Sequence, residues 1–330
     1  MLAFYYFYPV KQLFLIKRSF AQQAKSAARN GIMAKLRTNH TRGGGGGTIV
    51  RMGLFAAILS GLVYLFNFFG STPAANETSS ESGVNVTDFR FAPHSTTGEV
   101  VYNPYFALSY SEKYRQAEWV AYELTAERLN QPWVKRSNTF LPDPQLPAKS
   151  ATPNDYRNSG YDRGHLAPAA DMAFNEEAMQ YSFRMSNISP QAKNFNKGIW
   201  RELEELTRTW AKQNKALYVV TGPVLVTKPK GFVGNNRVAV PTAYYKVLLD
   251  YTEPQKKGIA FIIPNEVSYE PLFKYAVSIA EVERQTGLVF FPNLLTPQET
   301  KPLKEVFNID LWEFSKRKLE LRTQKWNAQD

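Results

Sequence analysis

The chain has 330 residues, 44% of them apolar and 14% aromatic, with no cysteine. That length and apolar content fill one core of about 200–250 residues plus a tail. The missing thiols exclude disulfide staples and thiolate metal sites, so any metal must sit on oxygen or imidazole ligands. The formal charge of +11 is concentrated at one end. Nine basic residues and no acidic one precede residue 52, and the remainder is nearly balanced, so net charge by itself does not indicate a nucleic-acid partner.

Residues 1–51 form a basic tail. Its first 42 residues are acid-free and contain Ser and Gln, which suits a mitochondrial presequence, a bacterial cytosolic tail, or an extension upstream of a start at Met33. Gly43 to Gly47 is a pentaglycine hinge. Met52 to Gly70 runs 19 residues without a charge, long enough to span a bilayer as a helix. A signal-peptide core is the alternative, although such cores are shorter, about 7–15 residues, and Ala74-Ala75 would be its cleavage site. The positive charge all lies before this segment. The positive-inside rule therefore gives a single-pass anchor with the C-terminal part on the exo-cytoplasmic side. That side is a bacterial periplasm or, alternatively, a mitochondrial intermembrane space. Residues 71–95 read as a flexible tether, 96–318 as the globular domain, and 319–330 as a C-terminal tail.

Within the domain, the spans 105–110, 119–124, 216–226, 237–240, 243–250 and 258–263 read as strands, rich in β-branched and aromatic residues. Ile199 to Lys212 is an amphipathic helix: Ile199, Leu203, Leu206 and Trp210 fall on one stripe. Pro271 to Gln285 reads as a second helix ending at Gly287. The alternation gives an α+β domain, an antiparallel sheet with packed helices, preceded by the transmembrane helix.

The chemistry is concentrated in Gly160-Tyr161-Asp162-Arg163-Gly164-His165-Leu166-Ala167-Pro168. An imidazole titrates near ~6.5, so His165 can accept a proton from water at neutral pH. Arg163, two residues away, matches phosphate geometry. A turn carrying a surface salt bridge is the bland reading of the same tetrapeptide. Downstream come Met185-Ser186-Asn187-Ile188-Ser189-Pro190-Gln191 and Asn194-Phe195-Asn196-Lys197-Gly198-Ile199-Trp200-Arg201-Glu202-Leu203-Glu204. Tyr218 to Val224, Val240 to Val247 and Glu283 to Leu288 complete the set.

In this order and spacing the segments resemble the DNA/RNA non-specific endonucleases, over roughly residues 100–315. The resemblance implies a ββα-metal nuclease fold, DNA and RNA as substrates, and Mg²⁺, with Mn²⁺ as a substitute. His165 is then the general base and Asn196 the metal ligand. Glu204 binds the metal through a water, and Arg163 and Arg136 contact phosphate. Asp162 anchors the loop, and Asn187 and Arg208 lie behind the site. The residues alone leave Asn196 open as a helix N-cap. They also leave Glu204 and Arg208 open as a solvated i,i+4 pair, and Glu202 and Glu205 read as solvated charges of the same kind. Family members often dimerise, so a homodimer is a further expectation. The competing reading is a catalytically weak nucleic-acid-binding protein of the same fold at a membrane.

Overall fold

The computed structural model describes residues 89–328, with 97 and 147–149 excepted. The basic tail, the anchor at 52–70 and most of the tether lie outside the described residues. Among the described residues no helix is long and apolar enough to cross a membrane.

The strands are β1 (Glu99–Tyr102), β2 (Ala107–Ser111), β3 (Gln116–Thr125), β4 (Tyr161–His165), β5 (Ile188–Ala192), β6 (Ala216–Pro223), β7 (Gly231–Val233), β8 (Val238–Val240), β9 (Ala243–Asp250), β10 (Lys257–Pro264) and β11 (Ala276–Val277). Among the described residues the helices are α1 (Ala126–Leu129), α2 (Glu176–Ser182), α3 (Arg201–Gln213), α4 (Ile279–Thr286), α5 (Pro297–Lys304) and α6 (Lys316–Gln324). Seven strands form one sheet in the order β1-β2-β3-β6-β9-β10-β11. Every pairing in it is antiparallel. Two small ribbons, β4–β5 and β7–β8, stand apart from it.

Strand alternation divides the sheet's side chains between two cores. Tyr122, Leu124, Val219, Tyr244, Leu248 and Phe261 point to one face, where they bury Ile199, Leu203, Leu206 and Trp210 of the expected stripe. Trp119, Val220, Tyr245, Val247 and Ala260 point to the other face and pack with Phe89, Phe91, Ile279, Val282 and Phe290. The sheet is hydrophobic on both sides because both sides are covered. Within the candidate strands, apolar runs therefore mattered more than clean alternation.

Four expectations need correction. The tether does not reach residue 95, because Phe89, Phe91 and Ala92 are buried and His94 bridges Val289. The helix expected over 271–285 is broken: Leu272–Tyr275 is a 3₁₀ turn and Ala276–Val277 pairs with β10. The α-helix starts only after Ser278, whose side chain accepts from the Glu281 N–H. The amphipathic helix begins as a six-residue π turn, Phe195–Trp200, kinked at Gly198, and turns regular at Arg201. A straight-helix distance from Asn196 to Glu204 therefore does not apply.

The fourth correction concerns the C-terminus. Residues after 318 are not a free tail. Arg322 of α6 is fully buried and its Nε lies 2.5 Å from Glu202 Oε2. Its guanidinium also donates to the carbonyls of Ser268 and Glu270. Glu202 is thus buried rather than solvated, whereas Glu205 is half-buried between Arg201 and Lys318.

Removing one partner of a buried ion pair leaves an uncompensated charge and costs about 3–5 kcal/mol. Arg322→Ala should lower the urea-unfolding free energy by that order, and adding Glu202→Gln should recover part of it. A loss under about 1 kcal/mol would show that the pair carries little of the C-terminal docking.

Candidate active site

The segment holding Asp162 to His165 is not a turn but strand β4. It pairs with β5 in the register Asp162–Gln191, Gly164–Ser189 and His165–Ile188. The chain then passes through the π turn into α3, so β4, β5 and α3 make a ββα unit. Gly164 is required by a close approach: a Cβ there would lie 2.1 Å from the Gln191 side chain. Side chains two apart on a strand share a side, which puts Arg163 and His165 together and turns Asp162 the other way.

Two aromatic rings bracket the imidazole, Phe140 at 5.5 Å and Phe183 at 4.7 Å between centroids. Each ring also carries an arginine. The Arg163 guanidinium lies 4.5 Å from the Phe140 centroid and that of Arg136 lies 5.2 Å from Phe183. Both arginines named from the sequence therefore stand beside His165, through two rings the sequence did not single out. His165 is 8% exposed and its buried Nε2 has no hydrogen-bond partner. Burial, and then the Arg136 charge, hold its pKa down to about 3. The free imidazole is neutral at physiological pH, as a base must be, but strongly disfavours accepting a proton.

Asn187 fixes the chain just past His165. Its Nδ2 donates to the carbonyls of Ala167 and Ser182, and its Oδ1 accepts from the Ala167 N–H at 2.8 Å. All three bonds are buried, so the amide serves as a splint between the end of β4 and the residues before β5.

Asn196 is not a helix N-cap. Its Nδ2 donates to Asp162 Oδ2 at 2.9 Å. A carboxylate only accepts, so this bond fixes the amide's orientation and leaves Oδ1 free. Asp162 therefore anchors Asn196, a more specific role than holding its own loop. No hydrogen bond joins Asn196 to His165 or Glu204 among the described residues.

Glu204 makes no hydrogen bond or ion pair among the described residues. Burial raises its pKa, opposed by the charges of Lys246, Arg208 and Arg136. Arg136 is thus felt by both His165 and Glu204. The expected Glu204–Arg208 pair is absent: Arg208 Nη1 instead lies 2.7 Å from Asp171 Oδ1. The Tyr122 hydroxyl donates to Asp171 Oδ2 at 2.7 Å. Lys246 is buried on β9, an interior strand of the sheet, its Nζ donating to Thr221 Oγ1 at 2.6 Å and lying over Trp200. Asp171, Tyr122 and Lys246 were invisible to sequence reasoning. No spacing rule links them to Glu204; only the sheet register and the turn after His165 bring them there.

Among the described residues no three His, Asp, Glu or Cys side chains converge on one point. The donors that do fit a cation are one oriented amide oxygen and one unpartnered carboxylate. That sparse, hard-oxygen set suits an ion that keeps most of its own waters, as Mg²⁺ does.

A two-stranded ribbon feeding a helix, with an imidazole at the strand end and an amide at the helix start, defines the ββα-metal nucleases. Residues 90–296 match the DNA/RNA non-specific endonucleases, and the chain belongs to that family and is an endonuclease. It is 33% identical over 269 residues to the mitochondrial nuclease EXOG of Danio rerio, covering 76% of this chain and 78% of that protein. To human mitochondrial endonuclease G it is 36% identical over 203 residues, covering 58% and 68%. The solved EndoG/EndoGI complex contains a chain that superposes with a TM-score of 0.58 at 32% identity, covering 62% of this chain and 90% of that one.

The depressed pKa of His165 has a stability consequence. The unfolded imidazole binds a proton below about 6.5 while the folded one does not until about 3, so stability is lost as pH falls through that window. Between pH 6.5 and 5 the loss through this group is about 1.5 kcal/mol. His165→Phe should therefore show a shallower loss than the wild type when urea midpoints are compared at the two pH values. Parallel curves would mean that the imidazole is not shielded from water.

Proposed function

We propose that the protein hydrolyses phosphodiester bonds of both DNA and RNA with little base preference, using a divalent cation, Mg²⁺ with Mn²⁺ able to replace it. The observation that carries this is the Asn196–Asp162 bond, which holds the Asn196 amide against the strand that ends in His165 and leaves its Oδ1 for a ligand. Asn196 Oδ1 would hold the cation directly and Glu204 would hold one of its waters. A cation bound there supplies charge neutralisation at the phosphate and at the departing oxygen.

His165 takes a proton from the attacking water, whose oxygen bonds to phosphorus as the bond to the 3′-oxygen breaks. The products carry a 5′-phosphate and a 3′-hydroxyl. Arg136 and Arg163 hold the phosphate. Burial is the larger cause of the imidazole's lowered pKa and the Arg136 charge the smaller; a phosphate entering beside Arg136 offsets that second cause and shifts the imidazole's pKa upward. Contacts to backbone phosphate carry no sequence information, which accounts for the lack of base preference.

The segment at 52–70 is proposed as a membrane anchor on the strength of its length and lack of charge. Relatives named as mitochondrial favour the intermembrane space over the periplasm. Carbonate-washed membranes should retain the full-length protein; release into the wash would remove the anchor from this reading.

His165→Ala should lower turnover on plasmid DNA and on RNA by about 10²–10⁴-fold with nucleic-acid binding retained. Asn196→Ala should lose more than about tenfold, with partial recovery at raised Mn²⁺. A His165→Ala enzyme with over half of wild-type turnover would remove the base from its role. Wild-type activity that survives EDTA would remove the cation. Binding without EDTA-sensitive cleavage would favour the weak binding-protein reading.

A further inference from the structure

Glu204 and Arg208 stand one turn apart on α3, the spacing at which a carboxylate and a guanidinium normally pair. They do not pair, because Arg208 is engaged elsewhere. Asp171 is buried, with 2% of its surface exposed. Its carboxylate takes Arg208 Nη1 on one oxygen and the Tyr122 hydroxyl on the other, each at 2.7 Å. Asp171 itself is set by the turn six residues past His165, where its N–H donates to the Pro168 carbonyl at 3.0 Å.

The other cations facing Glu204 are engaged too. Lys246 is spent on Thr221 Oγ1 and the Trp200 ring, and Arg136 lies on Phe183. The outcome is a carboxylate surrounded by positive charge whose oxygens no partner occupies.

We propose that Asp171 is a positioning residue: by holding the Arg208 guanidinium, it keeps the Glu204 carboxylate open to the water shell of a divalent cation. This rests on the proposed site at Asn196 and Glu204. Without the Asp171 charge, Arg208 faces the half-buried Glu204 one turn away on the same helix, and it closes on it. The cation must then displace a guanidinium before its water can be held. Loss of such an outer partner typically weakens metal binding about 10–100-fold.

The test is calorimetric titration of the full chain with Mn²⁺ alone, without nucleic acid, so that binding and not turnover is read. Asp171→Asn should weaken binding about 10–100-fold. In a Glu204→Gln background the same substitution should change binding less than about twofold, because there is no carboxylate left to be captured. A loss of the same size in both backgrounds would mean that Asp171 acts on the cation as a simple field, and would overturn the proposal. If Glu204→Gln alone leaves Mn²⁺ binding intact, the metal-site reading fails first and the proposal with it. Should Asp171→Asn not fold, Tyr122→Phe decides. It changes no charge and only loosens Asp171, so it should weaken binding about 2–5-fold, and no change would overturn the proposal.

Discussion

The ring of Tyr244 joins both the β4–β5 ribbon and the start of α3 to the main sheet. It projects from β9 on the central sheet, stacks at 5.3 Å on Phe195 of the π turn and lies 5.7 Å from Trp200. Its hydroxyl sits 2.6 Å from Ser189 Oγ and 2.8 Å from the Pro190 carbonyl oxygen, both on β5. One side chain thus fixes the ribbon and the start of the helix to the same strand. The β4–β5 ribbon has only two strands and little apolar surface of its own, and such ribbons are marginal in isolation. Its positions, and with them those of His165 and Asp162, are inherited from the sheet through Tyr244 together with Gln116, which accepts from Ser189, and Asn265, which donates to the Pro190 carbonyl.

The surroundings of the base follow from that dependence. The imidazole gains nothing from hydrogen bonds at Nε2; it is held by the faces and edges of Phe140 and Phe183. Two arginines lie on the same rings. Aromatic packing thus does three things at once: it orients the imidazole, strips it of water and brings two guanidinium charges beside it. A hydrogen-bonded histidine would have been better stabilised but less available.

Much of this was legible in the sequence, for identifiable reasons. The long strands β6, β9 and β10 are runs of β-branched and aromatic residues, and the stripe from Ile199 to Trp210 is what a buried helix face requires. The ribbon was not legible as strand: Asp162 to His165 contains no β-branched residue, and β5 contains Pro190, so their pairing rests on distant contacts. The helix expected from Pro271 failed because local periodicity does not register that Ala276–Val277 can extend a sheet edge. In the site, Asn196 and Glu204 came from a resemblance in order and spacing. The partner of Arg208 was misjudged because the i,i+4 rule describes a helix in water, and here a buried aspartate from another segment outcompetes Glu204. The rings of Phe140 and Phe183 gave no signal, since an aromatic in a sequence does not say what it will touch.

The clamp between Glu202 and Arg322 has a consequence in time. The two residues are 120 positions apart in the chain, and on the same side Asn327 closes over the π turn so tightly that a Cβ on Gly198 would lie 2.5 Å from its Oδ1. A chain emerging from the ribosome therefore makes Arg136, His165 and Asn196 long before it makes the residues that hold their helix in place. Until residues 322–327 arrive, Glu202 is an unpaired carboxylate at the helix start, and the segment bearing Asn196 lacks its cover. The helix that carries Glu204 is thus secured by a segment made 120 positions after its own start, and the fold around Asn196 is completed well after Asn196 itself is synthesised.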